Sequence, residues 1–150
     1  MLRSRLWADD GGNTPLEFIT AGLILLLPLV YLVLVVSALQ AGSLAVEGAA
    51  RQAVRVFVQA HTVDEAEQQA ERAIQFGLKD YGLDVHDATV SITCEPNPNA
   101  CLTRLGTVTV NVAVSVRLPL VPSVVDVTLP LAVPLKATAT EQVSRFWSGS

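Results

Sequence analysis

Residues 18–36 read FITAGLILLLPLVYLVLVV, a run of 19 with no charged side chain. At about 1.5 Å of rise per residue, a helix of this length is just long enough to cross a hydrocarbon core of roughly 30 Å. Its only interruptions are Thr20, Gly22, Pro28 and Tyr31. A helix in a soluble core is rarely so uniform, because it keeps a polar face toward water. Pro28 would break a helix in water, but membrane helices accommodate proline, often as a kink. The run therefore predicts a membrane span. Arg3 and Arg5 precede it, and the nearby Asp9 and Asp10 weigh little in orientation. Cationic residues stay on the cytoplasmic side, so the amino terminus is expected inside and the rest of the chain outside.

The chain has 150 residues, of which 51% are hydrophobic and 16% charged. That allows one small domain. The apolar excess is local, since no charged residue stands between Glu17 and Glu47 and an ordinary soluble composition follows. An anchor and a head are expected. The net charge is −4 with signs mixed in the head. Without a basic patch, nucleic acid is not an expected partner.

Residues 37–60 continue as helix with a small-residue surface: Ala38, Ala41, Gly42, Ala45, Gly48, Ala49, Ala50 and Ala53. Small residues let helices approach closely. Glu47, Arg51, Arg55 and Gln59 fall four apart as one polar stripe, with Val54, Phe57 and Val58 on the other side. A second helix is expected over residues 63–81. Thr62 and Glu65 have the capping-box spacing, and Gly82 is its terminator. Its apolar stripe is Ala66, Ala70, Ala73, Ile74, Gly77, Leu78 and Tyr81. Asp64, Glu65, Glu67 and Glu71 fan around its first turns, which reads as a solvated, dipole-complementing face rather than a calcium site.

The last third alternates as strands do. One strand is expected over residues 89–94. A second covers 106–118, with Val108, Val110, Val112, Val114 and Val116 on one face. A third covers 124–138, with Val125, Val127, Leu129, Leu131, Val133 and Leu135 aligned. Pro130 and Pro134 remove ladder donors from it, so it is an edge strand or a broken one. A sheet with one apolar face needs the helices as cover. The fold class is α+β, with a long N-terminal helix, a second helix and about three antiparallel strands. The Phe146-Trp147 tail is left open between folding onto the head and resting on the membrane.

Cys94 and Cys101 flank the loop Glu95-Pro96-Asn97-Pro98-Asn99-Ala100. In an exported protein they read as one disulfide, a structural staple rather than a redox pair, and in a cytosolic one as two thiols. His61 is expected at a helix end and His86 in a polar loop, neither with metal-ligand spacing. No nucleophile elbow, phosphate loop or dinucleotide fingerprint occurs. No catalytic residue, metal, cofactor or small-molecule substrate is expected.

The boundary of the span carries one more pattern: Gly11-Gly12-Asn13-Thr14-Pro15-Leu16-Glu17-Phe18. It resembles the type III signal peptide of type IV pilin-like proteins. In that family a prepilin peptidase cuts after a glycine on the cytoplasmic side and leaves the apolar helix in place. A glutamate stands at the fifth mature position, followed in the Tad and Flp branch by Phe or Tyr. By this resemblance Gly12 is the last residue removed, Asn13 the new terminus, Glu17 the fifth residue and Phe18 the sixth. Pro15 departs mildly from the pattern. The resemblance covers Gly12 to about Phe57 and implies a minor pseudopilin similar to TadE or TadF. It further implies a leader over 1–12, a transmembrane and extended helix over 13–60, and an exported head over 61–150. The implied partners are the cytoplasmic membrane, the prepilin peptidase and other pilins or pseudopilins. Glu17 would pair with the new α-amino group of a neighbouring subunit. A secretory signal cut after Val36-Ser37-Ala38, releasing a soluble binding module, is the competing reading. An uncleaved single-pass protein with a partner-binding head is another.

Overall fold

The computed structural model describes residues 14–119 and 132–148. Their elements are helix α1 (Thr14–Gln59), helix α2 (Val63–Lys79), a 3-10 turn (Val85–Asp87), and strands β1 (Ala88–Glu95), β2 (Thr107–Arg117) and β3 (Ala132–Gln142). The strands form one antiparallel sheet in the order β1-β2-β3. The fold is the expected α+β arrangement. The chain falls into two compact units divided between Val35 and Val36.

In the second unit, α1 buries Ala45, Val46, Ala49, Ala50, Ala53, Val54, Phe57 and Val58. These positions recur three and four apart, one stripe of a helix. α2 buries Ala66, Ala70, Ile74 and Leu78, and β2 buries Val108, Val110, Val112, Val114 and Val116. All belong to one hydrophobic cluster. Burying each such valine stabilises by about 1.5–3 kcal/mol, so β2 is the main apolar floor. At Gly42 the α1 backbone comes so near the sheet that a Cβ there would lie 2.8 Å from Val116 Cγ2 and 2.9 Å from Leu135 Cδ1. A larger residue there would have to displace the Val116 and Leu135 side chains.

α2 begins as its capping spacing predicts. Thr62 Oγ1 accepts a hydrogen bond from the Glu65 N–H at 3.2 Å, and the Glu65 carboxylate accepts one from the His61 N–H at 3.1 Å. The helix stops at Lys79, two residues short of the expected Tyr81. The Tyr81 and Leu83 N–H groups both return to the Leu78 carbonyl, and Gly82 takes φ +70°. That closure uses up the last turn and leaves Tyr81 50% exposed, outside the apolar stripe. His61 likewise stands outside the expected helix end, in the connection after Gln59. His86 lies exposed in the connection between α2 and β1, as expected, within its 3-10 turn.

β1 and β2 match their expected ranges to within a residue at each end. β3 reaches Gln142, four residues beyond the expected Thr138. The reason is register: β2 pairs along its whole length, from Arg117 with Ala132 to Thr107 with Gln142. On the outer face the Thr138 hydroxyl donates to Asn111 Oδ1 at 2.6 Å, and the Thr109 and Thr140 hydroxyls bond at 3.0 Å. The expected residues 124–131, with Val125, Val127, Leu129, Pro130 and Leu131, lie outside the described residues. Among the described residues β3 is an edge strand, and exposed Pro134 sits opposite Ser115.

Candidate functional site

Of the residues expected to serve processing and assembly, Glu17 and Phe18 stand at the start of α1. Gly12 and Asn13, the expected processing site, lie outside the described residues. Glu17 stands in the first turn of α1, where a carboxylate complements the partial positive charge of the helix terminus. Phe18 follows it and is 79% exposed. Thr20 donates its hydroxyl to the Leu16 carbonyl at 2.7 Å, so this interruption of the apolar run is satisfied within the helix.

α1 continues without interruption through Pro28. From Leu16 to Leu34 its large apolar side chains face outward all round, among them Ile24, Leu25, Leu27 and Leu32. Among the described residues this is one helix long and apolar enough to cross a membrane, and no residue of its most apolar window is buried. A core helix of a soluble protein would hide that surface. Farther along, the polar stripe is exposed, and Arg51 Nη2 donates to Glu47 Oε1 one turn back.

Cys94 and Cys101 form a disulfide with their Cα atoms 5.1 Å apart. It ties the end of β1 to the start of the 102–106 connection, and Leu102 and Cys94 are both buried in the core cluster. Among the acidic residues of the first turns of α2, the Glu65 carboxylate accepts from the His61 N–H and from Gln69 Nε2. No group of three or more potential metal ligands occurs among the described residues.

The tail divides. Phe146 is 84% exposed, whereas Trp147 turns inward and its indole N–H donates to the Ala60 carbonyl at 2.9 Å. Arg104 Nε in turn donates to the Trp147 carbonyl at 2.9 Å. Ala60 is buried just after α1, where a carbonyl lacks a helical partner. The legible signal was tryptophan itself, whose single donor needs an acceptor when the ring is buried. Val143, fully buried and bonded through its backbone to Leu105 and Gly106, had no such signal.

No family model, curated protein or solved structure matches the chain.

Proposed function

We propose that the chain is a minor pseudopilin similar to TadE or TadF, a structural component of a Tad-type pilus or secretion apparatus and not an enzyme. The observation that carries the reading is one of placement. The run Gly12-Asn13-Thr14-Pro15-Leu16-Glu17-Phe18 leads into the stretch of α1, from Leu16 to Leu34, whose large apolar side chains are exposed on every side. The same helix then contributes one face to the core of an α+β head. A peptidase cut after Gly12 would create an α-amine at Asn13, four residues before Glu17. In hydrocarbon a carboxylate is costly without a partner, and a neighbour's new amine is the partner this chemistry supplies. The helix would hold the protein in the cytoplasmic membrane, amino terminus inside and head outside. Its apolar surface would then pack against other pilins or pseudopilins during assembly.

The disulfide agrees with an exported head, since such bonds persist in oxidising compartments. A second reading, release by a secretory signal peptidase, draws on the division of the chain at Val35 and Val36. A cut after Ala38 would leave every core residue in the released part. The N-terminus of the mature protein, taken from membranes of the native host by intact mass and terminal sequencing, separates these readings. A start at Asn13 is expected. A start at Leu39 would mean a secreted soluble domain, and an intact leader would mean a plain anchor.

A further inference from the structure

The two edges of the sheet are built differently. The order β1-β2-β3 leaves one side of β1 and one side of β3 without a neighbouring strand among the described residues. An open edge offers unpaired N–H and C=O groups to any other strand, and proteins guard such edges with proline and charge. β3 carries Pro134, Lys136 and Glu141. β1 has no proline, and its only charge is Glu95 at the end. In an antiparallel pair every second residue of β1 directs its backbone groups away from β2.

Beside this open edge lies a groove of about 330 Å³ between α2 and β1. Ile74 of α2, Val85 of the 3-10 turn, and Ala88, Val90 and Ile92 of β1 give it an apolar lining. Val90 is 41% exposed, although it shares its face of β1 with buried Cys94 and pairs with fully buried Val112. The helix-facing side of β1 therefore lacks the cover that β2 has. Glu67 and Glu71, both exposed, form the α2 rim of the groove.

We propose that the free edge of β1 accepts an extended strand from a partner protein. The guest places alternate aliphatic side chains in the groove and a lysine or arginine opposite Glu67 and Glu71. Strand addition supplies the missing backbone partners, and the period of two sends every second guest side chain to the helix side. The guest's other face is polar, in line with Thr89, Ser91 and Thr93 on the outer face of β1. A second copy of this chain is the poorer occupant. Pairing β1 with itself about a two-fold axis would set both α2 helices on one side of a continuous sheet. Glu67 and Glu71 of the two copies would then confront each other, and like charges so placed repel. This inference depends only on the packing of the head, so it stands or falls apart from leader cleavage and membrane anchoring.

The test uses the full chain in detergent micelles and a capped synthetic peptide, Lys-Thr-Val-Thr-Val-Thr-Lys, whose lysines and valines share one face, with Glu-Thr-Val-Thr-Val-Thr-Glu as comparison. Amide hydrogen exchange reads the site. The lysine-flanked peptide should bind saturably and slow exchange at alternate residues of β1 while leaving β3 unchanged. Glu67→Lys with Glu71→Lys should weaken it by about tenfold and turn the preference toward the glutamate-flanked peptide. Val90→Lys should abolish binding of both while β2 stays protected, which shows the fold intact. Failure of the peptide to protect β1 would overturn the proposal, as would equal affinity for both peptides in the charge-reversed protein. Protection of β1 that grows with protein concentration and needs no peptide would also overturn it, assigning the edge to a second copy.

Discussion

Gly77 of α2 lies directly against Ala49 of α1, so close that a Cβ on Gly77 would stand 3.1 Å from the Ala49 Cβ and 3.3 Å from its Cα. The obstacle is a methyl and a helix backbone, neither of which can rotate aside. The two helices are in contact here because both positions are nearly bare.

Gly77 and Gly48 therefore respond oppositely to substitution. Gly48→Ala meets nothing within 4 Å and should stabilise by up to about 1 kcal/mol through helix propensity. Gly77→Ala gains the same propensity but must push the helices apart, and Gly77→Val more so. Overpacking of this kind costs about 1–3 kcal/mol. Thermal melts of Gly48→Ala and Gly77→Val in the same detergent should move in opposite directions, and a rise in Tm for Gly77→Val would refute the packing described.

Trp147→Phe keeps an aromatic ring and removes the donor to Ala60. A buried acceptor left alone costs about 1–3 kcal/mol. Phe146→Ala alters a side chain that is 84% exposed and should shift stability by less than about 0.5 kcal/mol. Denaturant midpoints of the two variants should differ accordingly. Equal midpoints would mean that the tail is not held at Ala60.

The disulfide closes a short loop, with a sequence separation of 7. On the chain-entropy account its loss costs about 2–3 kcal/mol. Cys94→Ala with Cys101→Ala should lower the melting temperature without changing the secondary structure seen by circular dichroism. Alanine is the proper replacement because Cys94 is buried, and a serine hydroxyl would add an unpaired polar group. An unchanged melting temperature would assign the bond no stabilising role.

Glu17→Ala tests the proposed assembly role. The head should keep its full stability, since Glu17 belongs to the first unit and the core to the second. Leader removal should continue, while pilus assembly in the native host should fall sharply. Normal pili in this variant would remove the intersubunit role assigned to Glu17.

Much of the architecture was written in local patterns. The capping box at Thr62 and Glu65, the Gly82 stop and the valine alternation of β2 each depend on neighbours a few residues away, and each lies where its pattern places it. Tyr81 was misplaced because helical spacing continues past Lys79, whereas the chain leaves the helix when the Leu78 carbonyl takes two later N–H groups. The end of β3 was misplaced for a longer-range reason, since β2 decides how far its partner extends.

The sequence by itself determined the apolar span, the two helices and the strand faces, whereas the Cys94–Cys101 bond, open between a disulfide and two thiols in the sequence, was decided by the structure. The span, the helices and the strand faces follow from hydropathy and periodicity, which act along the chain. Only the tertiary structure decided which bare positions become contacts, where Trp147 finds its acceptor, and that β1, among the described residues, keeps an open edge beside a groove. Those outcomes depend on residues distant in sequence: Gly77 with Ala49, Trp147 with Ala60, Val90 with Ile74. No local pattern encodes them, because each arises from surfaces that meet only after the helices have settled on the sheet.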